Sequence, residues 1–196
     1  MPPTMGSIRS RTIDPTTVDI VDVVSLGRTV HFDHRGFLVE TMRRDDSRVQ
    51  GDTFAMSYLS LTLPGQKRDG DRWHVHKRQV DRFVVVLGEM ILALYDVRPN
   101  SSTRGKLVTV RMAGAQDDPA PPPGPMKQGA VTYMITIPPG VYHCIGNLSS
   151  RPFLLQNYPT QLYDPQDEGR VPFIEVPIGD LGNRPFSWEC VEVIRP

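Results

Sequence analysis

Three histidines and one aspartate occupy two short segments of the chain, at spacings that suit a shared site. The first segment reads HVHKRQVD, in which His74 and His76 are two residues apart. Side chains at that spacing leave the same face of an extended strand, so the two imidazoles point the same way. Asp81 follows after a gap that a turn can span, and the second segment, PPGVYHCIGN, adds His143. If the two segments pair, all four side chains meet.

This set of side chains has the chemistry of a divalent transition-metal site. Neutral imidazoles and a carboxylate suit Fe, Mn, Ni, Co or Zn, and the preferences of these ions overlap. The set contains no thiolate, whereas structural zinc sites are usually closed and rich in cysteine. A site with room for water or substrate therefore predicts a catalytic metal. The alternatives are a pair of exposed strand histidines, or a barrel that keeps these residues without a metal.

The composition indicates one all-β domain with no nucleic-acid or membrane partner. The chain has 196 residues, enough for a sizeable core. It carries 22 basic and 22 acidic residues, with no basic stripe and no long apolar run. Its 19 prolines and 16 glycines favour short strands joined by tight turns. Two cysteines make no disulfide framework, and the amino terminus lacks the apolar core of a signal peptide, which predicts a cytoplasmic protein.

The two histidine segments read HxHx4Dx6G and PxGxxHxxxN, and together they resemble the signature motifs of the cupin superfamily. Asp81 stands where the usual first motif carries a glutamate. The resemblance implies a single-domain, all-β fold, the double-stranded β-helix or jelly-roll barrel of the cupins. It also implies that His74, His76, Asp81 and His143 are the metal ligands.

The predicted domain begins after a flexible start over residues 1–17, so that residues 18–196 form the cupin domain. Apolar and acidic residues alternate over residues 18–24, which predicts a half-exposed strand, and a second short strand follows over residues 28–32. We expect these amino-terminal strands to take part in dimerisation. The barrel core is expected over about residues 50–165 of the sequence.

Later segments of the chain give further expectations. Residues 82–96 read as a hairpin that turns at Gly88, with apolar runs on both sides. Residues 114–128 form a proline-rich loop, interpreted as a surface insertion or, alternatively, as a lid or partner contact. The tail around Trp188 is expected to pack back onto the barrel.

Three other stretches resemble the dTDP-4-dehydrorhamnose 3,5-epimerases. They read DHRGFLVE at residues 33–40, DVRPNSSTRG at 96–105 and LYDPQDEG at 162–169. In that family the arginine and the glutamate of the first stretch help to hold the nucleotide. The resemblance therefore implies that Arg35 and Glu40 are substrate contacts. The alternative is a turn held by a surface ion pair.

The same resemblance implies a base and an acid. The family removes a proton next to a ketone with the histidine of an RGxHxQ segment, and a tyrosine on a later strand serves as the acid. His74 matches the histidine, and Arg72 can substitute for the arginine that binds phosphate. The tyrosine falls on Gln156 if the strand is ungapped, or two residues on at Tyr158. Tyr58 stands at the asparagine of a QxNxSxS-like segment, and Tyr58 and Gln156 are further substrate-binding candidates.

Two departures from the family pattern change an acid/base pocket into a metal site. The lysine of the family falls on Asp81, and the glutamine of RGxHxQ is replaced by His76. If a metal is bound, His74 is a ligand, and proton transfer passes to water on the metal or to another group such as Tyr158. If no metal is bound, His74 and Tyr158 form an epimerase-type pair.

The sequence therefore predicts a metal-dependent enzyme that isomerises or moves a proton next to a carbonyl on a small substrate, with a sugar nucleotide as one possibility. Arg35, Arg72 and Lys77 are available for an anionic substrate group. One alternative is a non-haem iron oxygenase, since cupins with this ligand set include dioxygenases. Another is a small-ligand-binding cupin without turnover. Related proteins are usually dimers that exchange amino-terminal strands, so we expect a homodimer.

Overall fold

The computed structural model of the chain describes residues 8–34, 36–43, 54–114 and 127–195. Within these ranges the strands, numbered in chain order, form two large sheets. From edge to edge, the seven-stranded sheet contains Glu168–Pro172 (β12), Arg72–His76 (β5), Val141–Gly146 (β10), Glu89–Asp96 (β7), Leu107–Ala113 (β8), Ser10–Ile13 (β1) and Val191–Glu192 (β15). The six-stranded sheet contains Gly36–Val39 (β3), Val24–Asp33 (β2), Lys127–Ile137 (β9), Asp81–Leu87 (β6), Phe153–Asn157 (β11) and Tyr58–Thr62 (β4). A small third sheet pairs Pro177–Ile178 (β13) with Arg184–Pro185 (β14).

The two large sheets pack face to face around one apolar core. Phe83, Ile135 and Leu155 enter this core from the six-stranded sheet, and Leu92 and Val110 enter from the seven-stranded sheet. The predicted all-β jelly-roll barrel is confirmed. Most of the predicted proline-rich loop, residues 115–126, lies outside the described ranges. Across the part of the chain that the structure describes, no helix is long and apolar enough to cross a membrane.

The chain passes from one sheet to the other at Gly88. β6 pairs with β9 and β11, whereas β7 pairs with β10 and β8, so the predicted hairpin over residues 82–96 is wrong. Gly88 has a φ of 76°. A Cβ at Gly88 would lie 2.3 Å from the Pro152 carbonyl oxygen, so the crossing requires glycine. β6 and β7 are apolar on both faces because each is a central strand of its own sheet, and that pattern does not identify the partner strand.

The ordered part of the chain begins earlier than predicted. β1 pairs in parallel with β8 and β15. The backbone amide of Ile194 donates a hydrogen bond of 2.7 Å to the Thr12 hydroxyl, which ties this strand to the carboxy-terminal tail. The prediction of a flexible start over residues 1–17 is therefore wrong for Ser10–Ile13. Residues 1–7 lie outside the described ranges.

Residues 18–23 form a loop, and β2 begins only at Val24, so the strand predicted over residues 18–24 is wrong. Ile20 is buried in the barrel core, and Val18 and Val23 pack against that core. Asp22 adopts a left-handed conformation with a φ of 65°. The alternation arises because Val18, Ile20 and Val23 turn toward the core while Asp19 and Asp22 stay in solvent. The second predicted strand, 28–32, lies within β2.

The carboxy-terminal tail covers the outer face of the seven-stranded sheet. Trp73 of β5 is fully buried and contacts Phe173 and Phe186, with ring centroids 5.1 and 5.0 Å apart. Trp188 Nε1 donates a hydrogen bond of 3.2 Å to the Asp69 carbonyl oxygen. Because this packing holds Trp73 outward, the strand alternation directs the next residue, His74, into the barrel.

Candidate active site

The three histidines meet on the inner face of the seven-stranded sheet. β5 and β10 are neighbours in which His74 and His143 are directly paired. His76 lies two residues further along β5 on the same face. The ring centroid of His74 lies 4.7 Å from that of His76 and 5.0 Å from that of His143. One nitrogen from each ring can be chosen so that all three lie within 4.8 Å of one another. The predicted histidine cluster is confirmed.

Asp81 reaches the cluster from the opposite sheet, as the first residue of β6. Its Oδ2 atom lies 3.3 Å from His76 Nε2 and 3.4 Å from His143 Nε2. Its Oδ1 atom accepts hydrogen bonds from the side-chain amides of Asn157, at 2.8 Å, and Gln79, at 2.9 Å. Burial raises the pKa of the Asp81 carboxyl, but the adjacent imidazoles of His143 and His76 outweigh burial and hold that pKa well below its usual range. Asp81 is therefore ionised.

His76 is oriented by a second carboxylate, Asp167. The Asp167 Oδ2 atom lies 3.2 Å from His76 Nδ1. The same carboxylate accepts hydrogen bonds from Arg78 Nε and from the backbone N–H of Gln79, each at 3.2 Å. Burial lowers the pKa of His76, but the hydrogen bond and charge of Asp81 and the charge of Asp167 outweigh it and raise this pKa. Sequence reasoning missed Asp167, which lies in the turn before β12.

His143 and His74 each have a buried ring nitrogen that makes no hydrogen bond among the described residues. The Nδ1 atom of His143 lies 3.2 Å from the Val141 carbonyl oxygen, which can only accept, so Nδ1 carries a proton. Among the described residues, the Nε2 atoms of His143 and His74 are buried without a hydrogen bond. His74 Nε2 does lie 3.3 Å from Glu168 Oε1. Burial and the neighbouring His143 and His76 lower the pKa of His74 to about 3, so this ring is neutral.

The donor set fits a divalent transition metal. Ligand atoms that share one ion at bond lengths of roughly 2.0–2.2 Å lie about 3.0–3.5 Å apart. The contacts of Asp81 with His76 and His143 fall in that range, at 3.3 and 3.4 Å. The second nitrogen of each of these two rings faces a carboxylate or a backbone carbonyl, as in metal-bound histidines. His74 makes no such contact with Asp81 and stands closer to Glu168.

A cavity of about 310 Å³ opens beside the cluster between the two sheets. Its lining combines two of the histidines, two arginines, an aspartate, a tyrosine, a serine and an apolar group: Tyr58, Ser60, Arg68, Asp69, His74, Phe83, His143, Ile145, Leu155 and Arg170. Sequence reasoning missed Arg68 and Arg170. Arg170 reaches the cavity because β12 pairs with β5, which sets it directly opposite His74. The position of Arg170 beside His74 could be known only from the pairing of these two strands.

Three of the predicted substrate contacts lie away from the cavity. The Arg72 guanidinium is exposed and makes two hydrogen bonds to Asp71, at 2.7 and 3.0 Å. Glu40 is exposed and accepts a hydrogen bond of 2.6 Å from Arg43. Lys77 donates to a backbone carbonyl at 2.8 Å. None of these side chains lines the described cavity, and Arg35 lies outside the described ranges.

The predicted acid, Tyr158, does not lie at the cavity. Its ring is buried on the outer face of the six-stranded sheet with Leu26, Val84 and Met134, and its hydroxyl is 2.5 Å from that of Thr41. Gln156 also faces outward, where its amide donates a hydrogen bond of 3.2 Å to Ser57. The inward positions of β11 are the buried Phe153, Leu155 and Asn157. The tyrosine that does line the cavity is Tyr58, on β4.

No model of a known protein family matches the chain. Among curated proteins, the chain is 35% identical over 158 residues to the "probable low-salt glycan biosynthesis epimerase Agl13" of Haloferax volcanii, an alignment that covers 79% of this chain and 89% of that protein. This relative is similar along nearly its whole length.

Solved structures share the fold. The dTDP sugar isomerase from Desulfovibrio desulfuricans G20 superimposes with a TM-score of 0.65 at 23% identity, covering 87% of this chain and 92% of the other. The dTDP-6-deoxy-D-glucose-3,5-epimerase RmlC from Legionella pneumophila, in complex with dTDP-4-keto-L-rhamnose, superimposes with a TM-score of 0.64 at 20% identity, covering 90% and 85%.

Proposed function

The chain belongs to the sugar epimerases of the cupin superfamily, and from this membership we propose that it is a metal-dependent enzyme that epimerises a nucleotide sugar by moving a proton next to a carbonyl. The observation that carries the proposal is the pair of buried Nε2 atoms of His74 and His143 beside the cavity, which make no hydrogen bond among the described residues and lie 3.3–3.4 Å from carboxylates. Membership in an epimerase family favours this function over the oxygenase and over a binding protein without turnover.

We assign the metal to His76, His143 and Asp81, with His74 as the fourth group of the cluster. Two imidazoles and one carboxylate are a known donor set for divalent transition metals. When bound, such an ion supplies a Lewis acid that polarises a substrate carbonyl and acidifies the neighbouring C–H bond. The chain itself keeps Asp81 ionised and orients His76 through Asp167, which are the two conditions for ligation.

His74 is the proton acceptor in this proposal. Its ring is neutral because its pKa is lowered to about 3, and its Nε2 atom has no hydrogen-bond partner among the described residues. The same low pKa makes it a weak base, so it can deprotonate only a carbon that is already acidified. A base this weak therefore needs the metal ion in the same site, because the ion would acidify the C–H bond. Glu168, 3.3 Å from Nε2, lies where it can stabilise the imidazolium that forms.

We propose that the sugar occupies the cavity and that its phosphates lie at Arg68 and Arg170. A volume of about 310 Å³ is at the lower end of the roughly 300–1,000 Å³ found for small-ligand pockets, so a whole nucleotide sugar extends beyond it. Both arginines line the cavity and suit bidentate contact with phosphate. Substrates of this class are named for the solved neighbours, a dTDP sugar isomerase and an epimerase bound to dTDP-4-keto-L-rhamnose.

The test combines metal content with solvent exchange. Untagged wild type is expected to contain about one transition-metal ion per chain, as one donor set predicts, and to exchange hydrogens of dTDP-4-keto-L-rhamnose with D₂O. His143→Ala and Asp81→Ala should lose both properties. Gln156→Ala, on the outer face, is the matched control and should keep both.

Exchange by wild type that holds no metal, even after reconstitution with Fe, Mn, Ni, Co and Zn, would refute the metal. Absence of exchange from the reconstituted protein would refute the substrate class.

We also propose a homodimer. β4 is an edge strand of the six-stranded sheet; Leu59 and Leu61 on it are 61% and 56% exposed, and Leu63, just after it, is 58% exposed. An edge strand with an exposed apolar row is normally covered by another chain. Light scattering on wild type and Leu61→Glu should give a dimer and a monomer; a monomeric wild type would contradict the proposal.

A further inference from the structure

Inversion of a carbon centre requires a second group besides the histidines. The proton leaves one face of the enolate plane, and a new proton must arrive at the other face. The cavity lies between two sheets, and the imidazoles of His74 and His143 both belong to one of them. The group that completes the inversion therefore has to face the substrate from the side opposite these imidazoles, which the six-stranded sheet forms.

Tyr58 is the acid that this sheet supplies. The six-stranded sheet contributes Tyr58, Ser60, Phe83 and Leu155 to the described cavity lining. Phe83 and Leu155 carry no exchangeable proton, and an alkyl hydroxyl such as that of Ser60 is a far weaker acid than a phenol. Of these side chains, the phenol of Tyr58 is the one suited to protonate an enolate.

Among the described residues, the Tyr58 hydroxyl is a hydrogen-bond acceptor from Asn157. Asn157 Nδ2 lies 3.0 Å from the Tyr58 hydroxyl oxygen and 2.8 Å from Asp81 Oδ1, so its two hydrogens serve one acceptor each. The amide cannot be reversed, because Asn157 Oδ1 accepts a hydrogen bond of 2.9 Å from the Arg82 backbone. Since the phenol oxygen accepts from Asn157, its own hydrogen is free for a ligand in the cavity.

We propose that Tyr58 is a catalytic residue, the acid that protonates the enolate on the face opposite His74; this rests on the proposed function. The substrate C–H bond breaks, its proton goes to His74 Nε2, and its electron pair forms the enolate. The carbon then takes the Tyr58 proton, which leaves a phenolate hydrogen-bonded by Asn157. Water carries the proton released by the His74 imidazolium back to the phenolate, so the cycle closes without an added reagent.

Two further observations agree with this role. Burial raises the pKa of Tyr58, against a smaller lowering by the Asn157 hydrogen bond, so the phenol is protonated at neutral pH and ready to donate. Tyr58 and Asn157 are also direct partners across the β4–β11 strand pair. The phenol and the amide that supports it are therefore held at one level of the barrel.

The experiment separates removal of the proton from its delivery. With dTDP-4-keto-L-rhamnose in D₂O, Tyr58→Phe should still exchange hydrogen within about three-fold of wild type, since His74 can return a deuteron to the face it took the proton from. Formation of the epimer should fall by about 10²-fold or more, the usual contribution of a general acid. Tyr158→Phe, which removes a phenol outside the cavity, is the matched control and should keep both rates.

The outcomes distinguish the two proposals. Wild type without exchange overturns the proposed function itself. Wild type that exchanges, with a Tyr58→Phe that still epimerises, overturns the role of Tyr58 alone, and so does an equal loss of both rates, which would indicate a structural role.

A reciprocal variant gives a second measurement. Tyr58→Asn combined with Asn157→Tyr moves the phenol to the partner strand at the same level. This pair should recover at least ten-fold in epimer formation over Tyr58→Asn, whereas a folded double variant without recovery would speak against delivery from this strand pair.

Discussion

The two sheets that face each other across the cavity bring different chemistry to it. The seven-stranded sheet supplies the imidazoles of His74, His76 and His143. The six-stranded sheet supplies an ionised carboxylate, Asp81, and the phenol Tyr58. Neither sheet holds a complete site, because the carboxylate that contacts two of the rings and the acid proposed to oppose them come from the other side. The site therefore exists only when the sheets are packed together.

The outer faces of the two sheets differ as well. Behind the histidines, Trp73 is fully buried under the aromatic residues of the carboxy-terminal tail, including Phe186 and Trp188. Behind Tyr58, the outer row of β4 exposes Leu59 and Leu61. The sheet that carries the three histidine rings is thus fixed by this chain's own packing, whereas the sheet that carries the proposed acid has an exposed apolar edge.

The largest expected effect tests what His74 does within the histidine sheet. His74→Gln should lower both exchange and epimer formation by about 10²–10⁴-fold, because it removes the base. Metal content should remain that of wild type, since Asp81 contacts His76 and His143 instead. Elemental analysis of the same preparation checks this. If the metal is lost along with activity, His74 is a metal ligand, and the base has to be another group.

The next effect concerns the packing behind the histidines. Trp73→Ala should lower the free energy of unfolding by about 3–5 kcal/mol, the usual range for truncating a buried tryptophan. Leu162→Ala, at a side chain that is 66% exposed, is the comparison and should change it by less than about 0.5 kcal/mol. Chemical denaturation of both variants measures the difference. Similar values would mean that the tail does not anchor this sheet.

A smaller effect is expected from the carboxylate behind His76. Asp167→Asn keeps the size of the side chain but removes the charge that orients the ring, and such outer partners contribute about 10- to 100-fold to metal affinity. Titration with Zn²⁺ against a competing chelator, beside wild type, measures it. Asp164→Asn, which removes the other carboxylate bonded to Arg78, is the control. Equal affinity of wild type and Asp167→Asn would show that Asp167 only secures the turn.

The smallest effect is a pH dependence of stability in metal-free protein. The pKa of His74 is lowered to about 3 in the folded state, against about 6.5 in the unfolded chain. Between these values the unfolded chain binds the proton and the folded protein does not, so stability is lost as pH falls below 6.5. From pH 7 to pH 5, wild type should lose about 2 kcal/mol more than His74→Gln. Denaturation at both pH values in chelator checks this, and parallel losses would contradict the buried, neutral ring.

Much of the candidate site could be predicted because its residues stand at short, recognisable spacings within two segments of the chain. The spacing of His74 and His76 fixes a common face whatever the strand's partners are. The crossing at Gly88 could not be predicted, because apolar runs on both sides of a glycine look the same whether the strands pair or separate into two sheets. The cavity arginines were likewise hidden. Arg170 is placed opposite His74 by the pairing of β12 with β5, and Arg68 is held by a backbone hydrogen bond to Ile145, so both positions depend on segments far apart in sequence.

The predicted acid, Tyr158, is a second case in which the local sequence could not identify the position. Counting along an unbroken strand led to Gln156 and Tyr158, both of which face outward. The side chains of β11 alternate without a break, so Phe153, Leu155 and Asn157 share the buried, inward face. A displacement of one residue in matching such a strand to the family pattern exchanges its two faces. The inward position is Asn157, and the cavity tyrosine is Tyr58, its direct partner on β4.

The sequence by itself determined the cupin motifs, the all-β class, the epimerase family and the meeting of His74, His76, Asp81 and His143. These features follow from the alternation of side chains within a strand and from motifs whose combination of residue types is uncommon in other folds. The tertiary structure alone decided that Asp167 orients His76 and that Tyr58 rather than Tyr158 lines the cavity. Those choices depend on strand register and on which sheet a strand joins, and register is fixed by packing between distant segments rather than by local pattern.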